Sequence, residues 1–294
     1  MNWYPDKRVG LLWGLGLLGA LTFADYRLLR GTLGTPINLL FFGRALLLLA
    51  TLLLLAFLVY ALYGLANLAY HVERNGIVIR WAASYDVVPM GDIKTVVPFP
   101  KGKPLPSGIG WPGYRIGQVW IQGLGPVRLY TTRPLEQSLL IRTADRSYLI
   151  SPANVEGFLA DYRARRLLGE ITRWTQERRL PALFSLTVWR DRLVAWLFLS
   201  GLLLNLALFG YLSARYPQLS PRMILSFDPR GLGERIGARW ELFLLPAGGL
   251  GILLLNGALA AWVHRQGRVL SLLLLGNVSL VQVLVWLTTL RLVG

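Results

Sequence analysis

The sequence predicts an α-helical integral membrane protein, with about five transmembrane helices and one small β-rich domain inserted between them. Three observations carry this reading. Long windows lack charge altogether, residues 71–150 show short strands separated by tight turns, and one amphipathic helical stretch follows the last strand. The 294-residue chain is 54% hydrophobic and only 16% charged, where an ordinary soluble domain carries about 25% charged residues.

The first candidate span is short. Only 16 uncharged residues separate Arg8 from Asp25. With Lys7 and Arg8 in front and Thr22-Phe23-Ala24 behind, the segment reads as a signal peptide or, extended to Leu29, as a span. The span is the reading adopted. Gly10-xxx-Gly14 and Gly16-xxx-Ala20 are spacings that let a second helix approach closely. Residues 45–70 give a second, leucine-rich window of 26 uncharged residues, which spans with tilt or runs on into the next domain. Residues 1–70 are therefore expected to form two N-terminal transmembrane helices.

Strand signals begin at once after this window. His71-Val72-Glu73-Arg74 meets Ile77–Trp81 across Asn75-Gly76, a turn whose residues tolerate positive φ. Segments 85–89, 90–93, 118–121, 127–130, 138–142 and 147–150 continue the pattern. Such spacing suits a small antiparallel barrel or sandwich. A helix then closes the domain. Ser151 is its expected N-cap and Pro152 its first residue. Val155, Phe158, Leu159 and Tyr162 form the apolar face, and Arg163, Arg165 and Arg166 lie towards the end, where cations complement the helix dipole. The pattern continues to Arg179, with Gly169 and Pro181 as breaks.

Several of these steps together resemble the bacterial pleckstrin-homology-like (bPH, PH-like) domains. They are Asn75-Gly76-Ile77, Val88-Pro89 with Asp92-Ile93, and Asp145-Arg146-Ser147-Tyr148-Leu149-Ile150-Ser151-Pro152 followed by Phe158-Leu159. The resemblance implies a PH-like binding domain over residues 71–180, fused to membrane helices and placed on the cytoplasmic side of a bacterial inner membrane. One departure stands out, an insertion rich in proline and glycine at 98–115. Loops of this size are often functional. It combines cations with Phe99 and two further aromatics, so Lys101, Lys103, Trp111, Tyr114 and Arg115 are candidate contacts for lipid headgroups or a protein partner. The alternative is an ordinary surface loop packed by its own aromatics.

Residues 181–294 are expected to hold an interfacial segment and three more spans. Windows 193–214, 242–263 and 269–290 each run 22 residues without charge, enough to cross about 30 Å of hydrocarbon. Trp3, Trp189, Trp196, Trp240, Trp262 and Trp286 fall near the expected interfaces. Asn205, Asn256, Asn277 and Gln282 are the strong polar groups within the last three spans, suited to interhelical hydrogen bonds. No acid or base sits mid-span there, which disfavours a transporter. The 215–241 loop, with Tyr216-Pro217, Ser220-Pro221, Phe227-Asp228-Pro229-Arg230-Gly231 and Pro246 beyond it, resembles the two-helix membrane domain of Sdp-type immunity proteins. Ser226 stands where that family has a histidine, a departure that weakens any role tied to it.

The formal charge of +16 rests almost wholly on arginine. In a membrane protein such residues flank spans and face anionic lipid, so no nucleic-acid partner is expected. Basic residues fall on both sides of the spans, so charge alone does not orient them. The absence of cysteine excludes disulfides and thiolate metal sites. His71 and His264 are the only histidines, read as interfacial rather than as haem ligands, and no cofactor is expected. No nucleophile elbow, phosphate loop or metal spacing appears. The expected function is a non-enzymatic membrane scaffold or accessory subunit, binding a protein partner, a second copy of itself or anionic headgroups. The alternative is an envelope sensor or immunity-type protein acting through the 215–241 loop.

Overall fold

The computed structural model describes residues 1–99, 108–179, 188, 191–226, 235–264 and 266–293. Lys101, Lys103, Trp189 and loop residues 227–234 lie outside them. The chain divides into two compact units, Met1–Asp25 with Thr51–Phe184, and Tyr26–Ala50 with Ser185–Gly294. Among the described residues five helices are long and apolar enough to cross a membrane.

The first unit opens with strand β1 (Asn2–Trp3) and takes in parts of helices α1 (Arg8–Leu33) and α2 (Leu39–Ala66). Strands β2 (Ala69–Val72), β3 (Gly76–Trp81), β4 (Ser84–Pro89), β5 (Thr95–Pro98), β6 (Ile109–Trp111), β7 (Tyr114–Ile121), β8 (Gly125–Thr131), β9 (Leu139–Arg142) and β10 (Ser147–Ile150) follow. Helix α3 (Val155–Leu168) and strand β11 (Glu177–Arg179) complete it. Two sheets result, ordered β1-β2-β3-β4-β11 and β5-β9-β10-β8-β7-β6.

One pairing departs from the antiparallel expectation: β10 runs parallel to β8. The chain leaving β8 makes a 3-10 turn at Leu135–Gln137 and enters β9 two strand positions away. The tight β9–β10 hairpin then returns β10 into the gap beside β8.

Side-chain alternation divides the second sheet between two cores. Tyr130, Leu139, Ile141, Tyr148 and Ile150 join Tyr70, Ile77, Ile79 and Val88 of the first sheet and Phe158 and Tyr162 of α3. Val127, Leu129, Leu140 and Leu149 point the other way, onto Phe99, Ile121 and Leu135. A sheet buried on both faces explains the unbroken apolar runs Leu139-Leu140-Ile141 and Tyr148-Leu149-Ile150.

Three expected boundaries move. α2 ends at Ala66 rather than running to Tyr70. Its terminal carbonyl accepts from Lys7 Nζ at 2.6 Å, a cation at the negative end of the helix. Tyr70 sits in β2 and donates its hydroxyl to Tyr130 O at 2.6 Å. Ser151 does not cap α3, because its hydroxyl accepts from Thr132 N at 2.8 Å and so ties β10 to the end of β8. Asn154 is the cap, accepting from Gly157 N at 2.9 Å. Finally, α3 stops at Leu168, and Arg179 belongs to β11, which pairs with β4. Trp3 is no membrane anchor either. It pairs in β1, donates to Asp161 Oδ2 at 3.0 Å and meets Phe158 edge-on.

The second unit contains helix α4 (Arg192–Arg215), the hairpin β12 (Arg222–Ser226) and β13 (Arg235–Ala238), and helices α5 (Leu244–Val263) and α6 (Arg268–Val293). Asp191 caps α4 through Leu193 N and pairs with Arg268 at 2.6 Å, joining the starts of α4 and α6. Deeper in, Asn205 Nδ2 donates to Pro246 O at 2.9 Å and to Gln282 Oε1 at 3.0 Å. Gln282 Nε2 donates to Gly249 O at 2.9 Å. This node links α4, α5 and α6, as the isolated polar residues of these spans lead one to expect. Hydrogen bonds of this kind contribute about 0.6 kcal/mol on average within a membrane, so packing carries more of the bundle than the node does. Asn256 instead bonds within its own helix, to Ile252 O.

Candidate functional site

The site is built where the 98–115 insertion meets the helices of its own unit. β6 and β7 form a hairpin across Trp111-Pro112-Gly113-Tyr114. Trp111 Nε1 donates to Gly10 O in the first turns of α1 at 2.7 Å. Tyr114 is buried, packs with Ala61 and Leu65 of α2, and accepts from Trp81 Nε1 at 2.6 Å. Trp81 lies against Gly64 of α2, and its ring meets Tyr60 edge-on. Burial raises the Tyr114 phenol well above its usual range, so it is a neutral hydrogen-bonding group.

The five candidate contact residues thus separate. Lys101 and Lys103 are outside the described residues. Trp111 and Tyr114 are turned inward, with their polar atoms committed to α1 and to Trp81. They clamp the domain to the two helices. Arg115 is half-buried beside an open cleft that it shares with Asp6, Thr132, Arg133 and Glu136.

Behind the clamp lies an arrangement the motif search passes over. Asp86, on the inward face of β4, accepts from Arg128 Nη1 at 2.6 Å and from Tyr130 Oη at 2.7 Å. Arg178 of β11 approaches the same carboxylate at 3.8 Å. Asp86 is 1% exposed and Arg128 8%. Burial, followed by the Asp86 charge, pushes the Tyr130 phenol far up, so Tyr130 remains a donor. Arg128 Nε is buried with no hydrogen-bond partner among the described residues. A signal for this cluster was present in the sequence. Asp86 is in phase with Ser84 and Val88, and Arg128 with Tyr130, so strand alternation turns both charges inward.

The cluster borders a cavity of about 200 Å³. Arg128, Arg178, Tyr130 and Gln118 give its polar wall. Its apolar wall includes Phe57 and Ala61 of α2, with Trp81, Trp111, Tyr114 and Ile116.

Residues 68–166 match a family model described as a bacterial PH domain. No curated protein and no solved structure shows significant similarity to the chain. The match starts two residues after α2 and ends inside α3, so it spans β2 to β10. The edge strands β1 and β11, and with β11 the side chain of Arg178, come from outside it. The match does not reach the 215–241 loop or the helices around it. The chain is a bacterial membrane protein in which a PH-like domain over residues 68–166 is inserted among five long apolar helices.

Proposed function

We propose that this protein is a non-enzymatic membrane accessory subunit, whose PH-like domain presents a fixed surface to a protein partner. The observation that carries this is an apolar patch at the end of α3. Leu167, Leu168 and Ile171 are 88%, 62% and 68% exposed. The chain here is not loose. Arg74 donates to Leu168 O at 2.9 Å, and Asn75 Oδ1 accepts from Ile171 N and Thr172 N. Three large apolar side chains held outward on an anchored domain mark an interaction surface. Arg163, Arg165 and Arg166 beside them suit an acidic rim on the partner.

Replacing Leu167 and Leu168 together by glutamate removes apolar area without touching the core. The double variant is expected to fold and to lose its stoichiometric partner on purification from native membranes. Light scattering tells a second copy of this chain from a different protein. A wild-type particle that is monomeric and partner-free, or a variant that keeps its partner, rejects the proposal.

The domain is assigned to the cytoplasmic face of the inner membrane. The resemblance supports this side, since domains of this type fused to membrane helices are generally cytoplasmic. Protease added to sealed, inside-out vesicles is expected to cut within residues 98–115, and protease added to intact spheroplasts to leave them whole. The reverse pattern rejects the assignment. The sensor reading through the 215–241 loop is weaker. Its support is that the loop carries the antiparallel pair β12 and β13, with Arg239 seated 4.4 Å from the Tyr216 ring centroid and donating to Tyr216 O and Leu219 O.

A further inference from the structure

We infer that the outward face of α6 is a self-association surface, and that its occupant is α6 of a second copy of this chain. The pattern of residues is the first argument. Leu270, Leu273, Asn277, Leu280, Leu284 and Leu287 follow one another at alternating steps of three and four residues, the seam of a coiled coil. The five leucines are 48–65% exposed, and Asn277 is exposed with them. The opposite face carries the buried Leu275, Val278 and Gln282 and packs within its own bundle. The seam is therefore turned away from the helices that α6 joins.

The second argument is the asparagine. Lipid tails are as apolar as leucine, so exposed leucines by themselves drive no association. Asn277 lies about 4 Å along the helix from the centre of the uncharged window 269–290, the depth at which a polar group finds no water. Of the four carboxamides in these spans, Asn205 and Gln282 bond across helices and Asn256 bonds to its own helix. The side chain of Asn277 makes no hydrogen bond among the described residues. An unpaired carboxamide in hydrocarbon is costly, and a neighbouring helix that pairs it removes the cost.

The third argument selects the occupant. Copies of one chain insert the same way, so two α6 helices side by side run parallel about a twofold axis along the membrane normal. Such an axis sets each seam position against itself. A carboxamide has both donors and an acceptor, so two Asn277 side chains satisfy each other. One asparagine in a leucine seam also fixes the register of a parallel coiled coil. The next seam position, Arg291, lies beyond the uncharged window at the end of α6, where water and salt screen like charges. The surface is separate from the Leu167–Leu168 patch and does not depend on the partner proposed there.

The test uses the full chain in its native membrane. The chain has no cysteine, so single cysteines report proximity by oxidative cross-linking. Leu273→Cys, Leu280→Cys and Leu287→Cys are each expected to give a product of two chains. Leu203→Cys on α4 and Leu255→Cys on α5 sit at comparably exposed positions, 57% and 62%, and are expected to give none. Equal cross-linking at all five positions is random collision and overturns the inference, as does its absence at the three seam positions. A product of one chain with another protein assigns the face to a different partner and also overturns it. Asn277→Leu keeps the seam apolar and removes the hydrogen bond. Sedimentation equilibrium in detergent is expected to show the dimer weakened about tenfold by this substitution. An unchanged dissociation constant overturns the inference. Leu167→Glu/Leu168→Glu is expected to leave the α6 cross-links in place, and Asn277→Leu to leave the partner of that patch bound, so the two proposals fail in different ways.

Discussion

Asp86→Ala is expected to destabilise the β domain by about 3–5 kcal/mol, the cost typical of removing one partner from a buried ion pair. The substitution strands two groups at once. Arg128 loses the carboxylate that neutralises it, and Tyr130 loses the acceptor for a buried hydroxyl. Arg128→Met is expected to cost a similar amount by leaving Asp86 charged and largely unpaired. Replacing both, with Asp86→Leu and Arg128→Met, removes the charges together and is expected to recover most of the loss, since an apolar pair of similar volume often substitutes for a buried bridge. Tyr130→Phe added to the pair then removes the remaining unsatisfied hydroxyl. Hydrogen exchange of the β4 and β8 amides reports the effect where it arises. If the two single losses simply add in the double variant, Asp86 and Arg128 are not a coupled pair and the account fails.

Much of this architecture was legible in the residues. Uncharged windows mark the membrane helices because hydrocarbon penalises charge over a fixed length. Asn75-Gly76 marks a hairpin because few other residues make that turn. The readings that failed concern choices between local partners. Ser151 has the chemistry of a cap, but Thr132 N, made available by a parallel pairing invisible in local sequence, takes its hydroxyl. Residues 169–179 continue a helical pattern, but Gly169 adopts φ 70° and breaks it, and the free edge of β4 recruits Glu177–Arg179 as a strand. In each case a long-range contact outcompeted a local preference.

The site was legible in its residues but not in its direction. The aromatics of the 98–115 insertion stand out as a group in the sequence, yet composition does not say which way a hairpin faces. Trp111 and Tyr114 turn inward because the ends of α1 and α2 offer a carbonyl, small side chains and a glycine at the right heights. The cluster around Asp86 was hidden for a different reason. Its members lie 42 residues apart for Arg128 and 44 for Tyr130, and no short motif joins them. Only the phase of each strand, combined with the pairing of the sheets, brings them together.

Gly113→Ala is expected to cost about 2–5 kcal/mol and to free the β domain from α1. Two penalties add. Gly113 has φ 78°, where an L-residue is strained by roughly 1–2 kcal/mol. A Cβ there also falls 2.5 Å from Gly10 N and 2.9 Å from Val9 C. These are backbone atoms of a helix, which cannot swing aside as a side chain tip can, and overpacking of this kind costs about 1–3 kcal/mol. The contact is reciprocal, because a Cβ on Gly10 meets Gly113 O. Separating the two glycines also pulls Trp111 Nε1 away from Gly10 O. Gly125→Ala is the control. Gly125 has φ 73° but open space around its Cβ position, so it carries the strain and not the clash. The expected signature is lost exchange protection at β6, β7 and the first turns of α1 for Gly113→Ala, against a smaller loss confined to the β7–β8 turn for Gly125→Ala. Equal losses for the two substitutions reduce Gly113 to an ordinary turn glycine and remove the glycine contact as the joint between domain and helix.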